Sequence, residues 1–129
     1  MKKSGILNRE LAGAIAELGH GHTVLICDAG MPIPPGPRVV DLSFRAGVPS
    51  FAEVLDGVLA ELVTEGGTAA TELPEANPPT ARLLTSRVTP LHLVPHEELK
   101  HLTSTARLII RTGEATPYAN VLLRCGVFF

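Results

Sequence analysis

The chain has no tryptophan, one tyrosine and four phenylalanines in 129 residues. Single-stranded nucleic acids are bound by stacking bases on aromatic side chains along a basic groove. The formal net charge of -2 leaves no such groove, nor a surface suited to anionic membranes. Lys2-Lys3 is the one basic cluster and reads as a solvated terminus. Cysteine is also scarce. Cys27 and Cys125 show no C-x-x-C spacing and sit inside apolar runs, which predicts buried free thiols rather than a disulfide framework. No stretch approaches the roughly 18 apolar residues of a membrane span. Asn8, Arg9 and Glu10 break the opening too early for a signal peptide, so the expected compartment is the cytoplasm. Phosphate-cradling motifs (G-x-x-x-x-G-K-[ST], or G-x-G-x-x-G after a strand) and the G-x-S-x-G elbow are absent, so nothing supports nucleotide binding or a serine hydrolase.

What the chain has in surplus is aliphatic surface. Apolar residues make up 45% of a length that suits one domain, residues 1–129. A domain of this size has too much surface for its volume to hide so much apolar area alone. A homo-oligomer is therefore expected, with Val127-Phe128-Phe129 as one candidate contact.

Along the chain, apolar runs alternate with helical patterns. Leu7, Leu11, Ile15 and Leu18 share a face and predict a helix over 8–18, with Asn8 as cap and Gly19 as a left-handed stop. Thr23–Cys27 reads as a strand buried on both faces. Residues 31–37, rich in proline, must be a stiff loop. Val39–Leu42 suits a short strand. Ser50 and Glu53 form an S-x-x-E capping box before an apolar stripe that continues toward Gly66-Gly67. Further strands are expected over 68–73, 88–94 (at an edge, because of Pro90), 108–110 and 121–127. Short helices are expected after Asn77-Pro78 and over 95–102. The class is α/β: a three-layer domain with a largely parallel sheet between helices.

Ligands of such sheets collect at the carboxyl ends of strands. The polar clusters that qualify are His20-Gly21-His22 with Asp28-Ala29-Gly30, then His96, then Glu114 with Tyr118-Ala119-Asn120. Taken singly, each has an ordinary structural use: dipole partner, turn cap or packed ring. His20, His22 and Asp28 are also suitable zinc ligands, although H-x-H alone is a weak signal.

Taken together the motifs resemble one family. Met1-Lys2-Lys3-x-Gly5-Ile6-Leu7-Asn8, Leu18-Gly19-His20, Cys27-Asp28-Ala29-Gly30-Met31-Pro32-Ile33-Pro34 and Gly47-Val48-Pro49-Ser50-Phe51 are similar to those of D-ribose pyranases of the RbsD type. So are His96-Glu97-Glu98-Leu99-Lys100, Ile110-Arg111-Thr112-Gly113-Glu114, Thr116-Pro117-Tyr118-Ala119-Asn120 and the ending Cys125-Gly126-Val127-Phe128-Phe129. The resemblance implies interconversion of the pyranose and furanose forms of D-ribose without cofactor or metal. It implies His20 as proton donor, and Asp28, His96, Tyr118, Ala119 and Asn120 as sugar contacts. It further implies a ring-shaped homo-oligomer, often a decamer. His22 and the proline-rich 71–79 depart from the family pattern. A mutarotase of another sugar such as L-fucose, or a non-catalytic sugar-binding subunit, would use the same pocket.

Acid/base chemistry suits these residues. Opening a hemiacetal takes a proton from the anomeric hydroxyl and gives one to the ring oxygen. Histidine, with an ordinary pKa of about 6.5, does both near neutrality.

Overall fold

Six strands form a single sheet in the computed structural model, which describes residues 1–129. In chain order the elements are α1 (Arg9–Ala16), β1 (Thr23–Cys27), β2 (Arg38–Asp41), α2 (Phe51–Leu59), β3 (Thr64–Ala70), α3 (Leu73–Ala76) and α4 (Pro78–Arg87). Then come β4 (Leu91–Val94), α5 (His96–Leu102), a 3-10 turn (Thr103–Thr105), β5 (Leu108–Arg111) and β6 (Val121–Cys125). None of the helices is long and apolar enough to cross a membrane.

The strand order is β2-β5-β1-β6-β3-β4. β2 with β5, β5 with β1, and β3 with β4 run parallel; β6 runs antiparallel to both β1 and β3. The expectation of a largely parallel sheet therefore holds within two blocks, and one reversed strand joins them. The reversal follows from the connection. Residues 112–120, between β5 and β6, contain no helix, and a parallel return needs a crossover of a dozen or more residues.

The period-2 alternation of strands sorts side chains into two cores. Val24 and Ile26 of β1, Leu108 and Ile110 of β5, and Val121 and Leu123 of β6 pack on one face. There they meet Leu11 and Ile15 of α1, Phe51, Val54, Leu55 and Val58 of α2, Leu73 of α3 and Leu84 of α4. Leu25, Cys27, Ile109 and Leu122 point to the other face and meet Leu99 of α5, Ala106 and Met31. Continuous apolar runs are thus needed because both faces are covered.

The caps behave as the sequence indicates: Asn8 Oδ1 accepts from Leu11 N–H at 2.9 Å, and Ser50 Oγ accepts from Glu53 N–H at 3.1 Å. Boundaries differ in instructive places. α1 ends at Ala16, and the left-handed glycine beyond it is Gly21 (φ 81°), not Gly19. α2 stops at Leu59, so Gly66-Gly67 do not terminate it; they lie inside β3. A Cβ on Gly66 would come within 2.8 Å of the Pro90 carbonyl, and its φ is 128°, so close approach of backbone is what demands glycine there. The proline-rich 71–79 is helical after all, because Pro74 and Pro78 occupy first-turn positions of α3 and α4, where the missing N–H costs nothing. β4 is the edge strand that Pro90 implied. β6 ends at Cys125, leaving Phe128 and Phe129 about 90% exposed.

Ile110 is fully buried between two parallel neighbours. Ile110→Ala should lower unfolding free energy by about 2–5 kcal/mol. Chemical denaturation would register this as a lower midpoint with an unchanged slope.

Candidate active site

Because β6 is reversed, its amino end lies where β1, β3 and β4 finish. Four chain segments converge there. Asp28 follows β1, Glu72 lies just beyond β3, His96 opens α5 just after β4, and Tyr118-Ala119-Asn120 precedes β6. Asp28 and Asn120 exchange hydrogen bonds: the Asp28 N–H donates to Asn120 Oδ1 at 2.9 Å, and Asn120 Nδ2 donates to Asp28 Oδ2 at 3.1 Å. The Gly30 N–H donates to Asp28 Oδ1 at 2.9 Å, closing the Asp-Ala-Gly turn. Asn77 Nδ2 donates to the Pro117 carbonyl at 2.9 Å, and Asn120 is fully buried.

Burial raises the Asp28 pKa above the ordinary carboxylate value, outweighing the hydrogen bonds from Gly30 and Asn120 and the nearby charge of His96, which lower it. The His96 ring stands edge-on to Tyr118, with centroids 5.0 Å apart. Its Nδ1 is buried without a hydrogen-bond partner, a costly condition that a ligand hydroxyl would relieve. Its backbone N–H donates to both carboxylate oxygens of Glu72, at 3.2 and 3.0 Å. Tyr118 adopts φ 57°. Ala119 is wholly buried, with its methyl in the core.

Asp28, His96, Tyr118, Ala119 and Asn120 are thus brought together, and His20 is not among them. It precedes β1, whereas Asp28 follows it, and five strand residues span about 17 Å. The sequence cluster His20-Gly21-His22 with Asp28 is therefore split between opposite ends of the sheet. His20 Nε2 lies 2.9 Å from Glu65 Oε1, with the His20 side chain 56% exposed. His22 Nδ1 accepts from the Gly19 N–H at 3.0 Å and organises its own loop. Within one chain this separation keeps His20 and His22 away from Asp28, and no group of three or more potential metal ligands converges. A cleft of about 720 Å³ also lies at the His20 end, lined by Leu18, His22, Arg38 and Arg107 among others.

Three supporting residues, Arg111, Glu72 and Asn77, were not singled out from the sequence as site residues, and Glu114, which was, joins them in a supporting role. Arg111 donates from Nε and Nη2 to the Ala29 carbonyl, at 3.2 and 2.8 Å, and from Nη1 to Asp41 Oδ2 and Ser43 Oγ. It ties the Asp28 turn to the end of β2. Burial pushes the Asp41 pKa up, but hydrogen bonds from Ser43 and Arg111 and the Arg111 charge bring it below the ordinary value. Glu114 braces the 112–120 connection by accepting from the Phe51 N–H and the Thr116 hydroxyl. Asn77 and Glu72 complete the set. Arg111 and Glu72 carried a usable signal, being polar residues at or just past the carboxyl ends of strands; Asn77 carried none.

The raised Asp28 pKa sets a pH dependence. A carboxyl whose folded pKa lies above its unfolded value favours folding when protonated. Its contribution is lost as pH rises through the folded pKa. Relative to Asp28→Asn, the wild-type chain should lose stability on going from pH 4 toward neutrality, roughly the carboxylate range. Denaturation of both proteins across that range measures the slope; a flat difference would contradict the assignment.

The profile of the RbsD / FucU transport protein family matches residues 1–128. A protein of Streptomyces avermitilis named D-ribose pyranase is 77% identical over 129 residues, covering all of both chains. The structure of Bacillus subtilis RbsD complexed with D-ribose superposes with a TM-score of 0.95 at 42% identity, again over all of both chains. The fucose mutarotase of Streptococcus pneumoniae, solved with L-fucose, is 19% identical with a TM-score of 0.78 over 95% of each chain, and so shares the fold. Family profile, identity and fold agree over the whole length: the chain belongs to the RbsD / FucU transport protein family.

Proposed function

We infer that this chain is an isomerase that interconverts the pyranose and furanose forms of D-ribose. The observation that carries the reading is its 77% identity, end to end, with a protein named for that activity. The cluster around Asp28 supplies the chemistry such a reaction needs. The ribose complex at 42% identity favours ribose over L-fucose, whose mutarotase is related only at the level of fold.

In the reaction, the pyranose C1 hydroxyl loses a proton while the ring oxygen gains one. The C1–O5 bond breaks and leaves an open-chain aldehyde. After rotation, the C4 hydroxyl attacks C1 and gives up its proton, and the C1 oxygen takes one, closing the five-membered ring. A placed acid and base supply about 10²–10⁴-fold in rate. Asp28 is suited to holding sugar hydroxyls. Its two oxygens already accept from Asn120 and Gly30. A carboxylate has about four lone-pair directions, which leaves about two for ligand. His96 Nδ1, buried and unpartnered, is suited to accept a sugar proton. Tyr118 offers a ring face and a hydroxyl. Asn120 locks Asp28 in place, and the Ala119 main chain borders the sugar.

His20 is the proposed donor to the ring oxygen, and it must come from a second copy of the chain. In one chain the five residues of β1, about 17 Å of strand, stand between it and Asp28. A contact between opposite ends of neighbouring chains is head-to-tail, and contacts of that kind form rings where the rotation between copies closes. A decamer built of rings is one such assembly. Exposed Phe44, Phe128 and Phe129 offer the apolar surface it would bury. The free, buried cysteines suit a reducing compartment, in keeping with the cytoplasm.

Saturation-transfer NMR on D-ribose at equilibrium tests the activity. The wild-type protein should speed exchange between pyranose and furanose signals, and His20→Ala and Asp28→Ala should each lower it by about 100-fold or more. Refolding the two inactive variants together tests the shared site. If each site draws His20 from one copy and Asp28 from another, roughly a quarter of all sites in an equal mixture regain both residues. A mixture as inactive as its parts would overturn the sharing of the site between copies.

A further inference from the structure

Asn77 lies at the junction of α3 and α4, outside the catalytic cluster, and is 6% exposed. As the residue before Pro78 it is the expected cap of α4, yet its side chain caps neither helix. Its amide is committed elsewhere. Nδ2 donates to Thr116 Oγ1 and to the Pro117 carbonyl, both at 2.9 Å. A carbonyl oxygen only accepts, so the nitrogen of the amide must face Pro117. Thr116 Oγ1, accepting from Asn77, donates its own proton to Glu114 Oε2 at 3.0 Å. Glu114 Oε1 accepts from the Phe51 N–H at 2.9 Å, at the start of α2. An unbroken run of hydrogen bonds therefore joins α2 to the α3–α4 junction through residues 114, 116 and 117.

The next residue is Tyr118, which alone among non-glycine residues has positive φ, at 57°. That conformation is disfavoured for a side chain with a Cβ, and it persists only where the surroundings over-determine it. The hydrogen bonds from Asn77 to residues 116 and 117 are the nearest side-chain restraint on the amino side of Tyr118. On the carboxyl side the Asn120 N–H donates to the Tyr118 carbonyl at 2.8 Å.

We propose that Asn77 is a positioning residue for the ribose site, acting through Thr116 and Pro117 to hold Tyr118 in its left-handed conformation. It thereby sets where the Tyr118 ring meets His96 and where the Ala119-Asn120 segment meets the sugar. The proposal deepens the ribose reading and rests on it for the identity of the substrate.

Tyr118 is the only tyrosine and the chain lacks tryptophan, so the near-ultraviolet tyrosine band of circular dichroism reports on this residue alone. Asn77→Ala and Thr116→Val should both lose most of that band. The KM for D-ribose should rise about tenfold, the scale of one or two lost hydrogen bonds, with kcat within a few-fold of wild type. Thr116→Ser keeps the hydroxyl and should restore both band and KM. Thr116 is exposed, so its variants decide the matter even where Asn77→Ala folds poorly. An unchanged band and KM in Thr116→Val and Asn77→Ala, with only a lower Tm, would overturn the proposal. A wild-type protein inactive on ribose would remove the substrate reading, while the dichroism of the variants would still decide whether Asn77 positions Tyr118.

Discussion

Antiparallel insertion of β6 between β1 and β3 is the constraint on which the candidate site depends. Had β6 returned parallel, Tyr118-Ala119-Asn120 would lie at the far end of the sheet from Asp28. With β6 reversed, its first residues fall beside the ends of β1 and β3, and Val121 pairs with Ile26, two residues before Asp28. The same arrangement lets a short sequence, 112–120, serve both as connection and as part of the site. Its side chains brace it from both directions, through Thr112 to the Cys27 carbonyl, Glu114 to the Phe51 N–H, and Thr116 to Asn77.

Electrostatics in the cluster follow from its depth. Asp28 is partly desolvated and shares its oxygens with Asn120 and Gly30, whose hydrogen bonds offset part of the cost of burying its charge. The nearest guanidinium, Arg111, spends its donors on the Ala29 carbonyl, Asp41 and Ser43. A carboxylate without a committed ion-pair partner is well placed to bind neutral hydroxyls. A free sugar carries no charge to attract, and recognition must come from hydrogen-bond geometry. On the neighbouring strand end, the hydroxyl of Thr71 donates to Glu72, which with the His96 N–H holds the Glu72 carboxylate below its ordinary pKa. Glu72 is thereby an anchor for the start of α5 across the neutral range.

A single chain is only half of the proposed machinery. The acid and the sugar-holding groups occupy opposite ends of one rigid strand whose Val24–Cys27 are wholly buried, and no local rearrangement can bring them together. That arrangement gives the exposed apolar surface of the chain a purpose beyond solubility limits: association would assemble the site as well as bury Phe44, Phe128 and Phe129.

Much of this was legible in the residues. Thr23–Cys27 announced a doubly covered strand because five consecutive apolar or β-branched residues fit no half-exposed element. Asn8 and Ser50 announced helix starts because their short side chains satisfy free N–H groups. The motifs around Asp28, His96 and Tyr118 announced a sugar site through their resemblance to known pyranases. Other features depended on contacts between residues far apart in the chain. Gly66-Gly67 looked like a helix stop because the demand for glycine comes from Pro90, 24 positions away from Gly66. Asn77 looked like a cap because its true partners are some 40 positions away, at Thr116 and Pro117. Sequence by itself determined the class, the covered strands and the roster of polar residues, since these rest on local periodicity and side-chain chemistry. Tertiary structure alone decided the direction of β6 and therefore which of those residues meet. Strand pairing is a long-range choice, and it placed His20 at the end of the sheet opposite the groups it is proposed to serve.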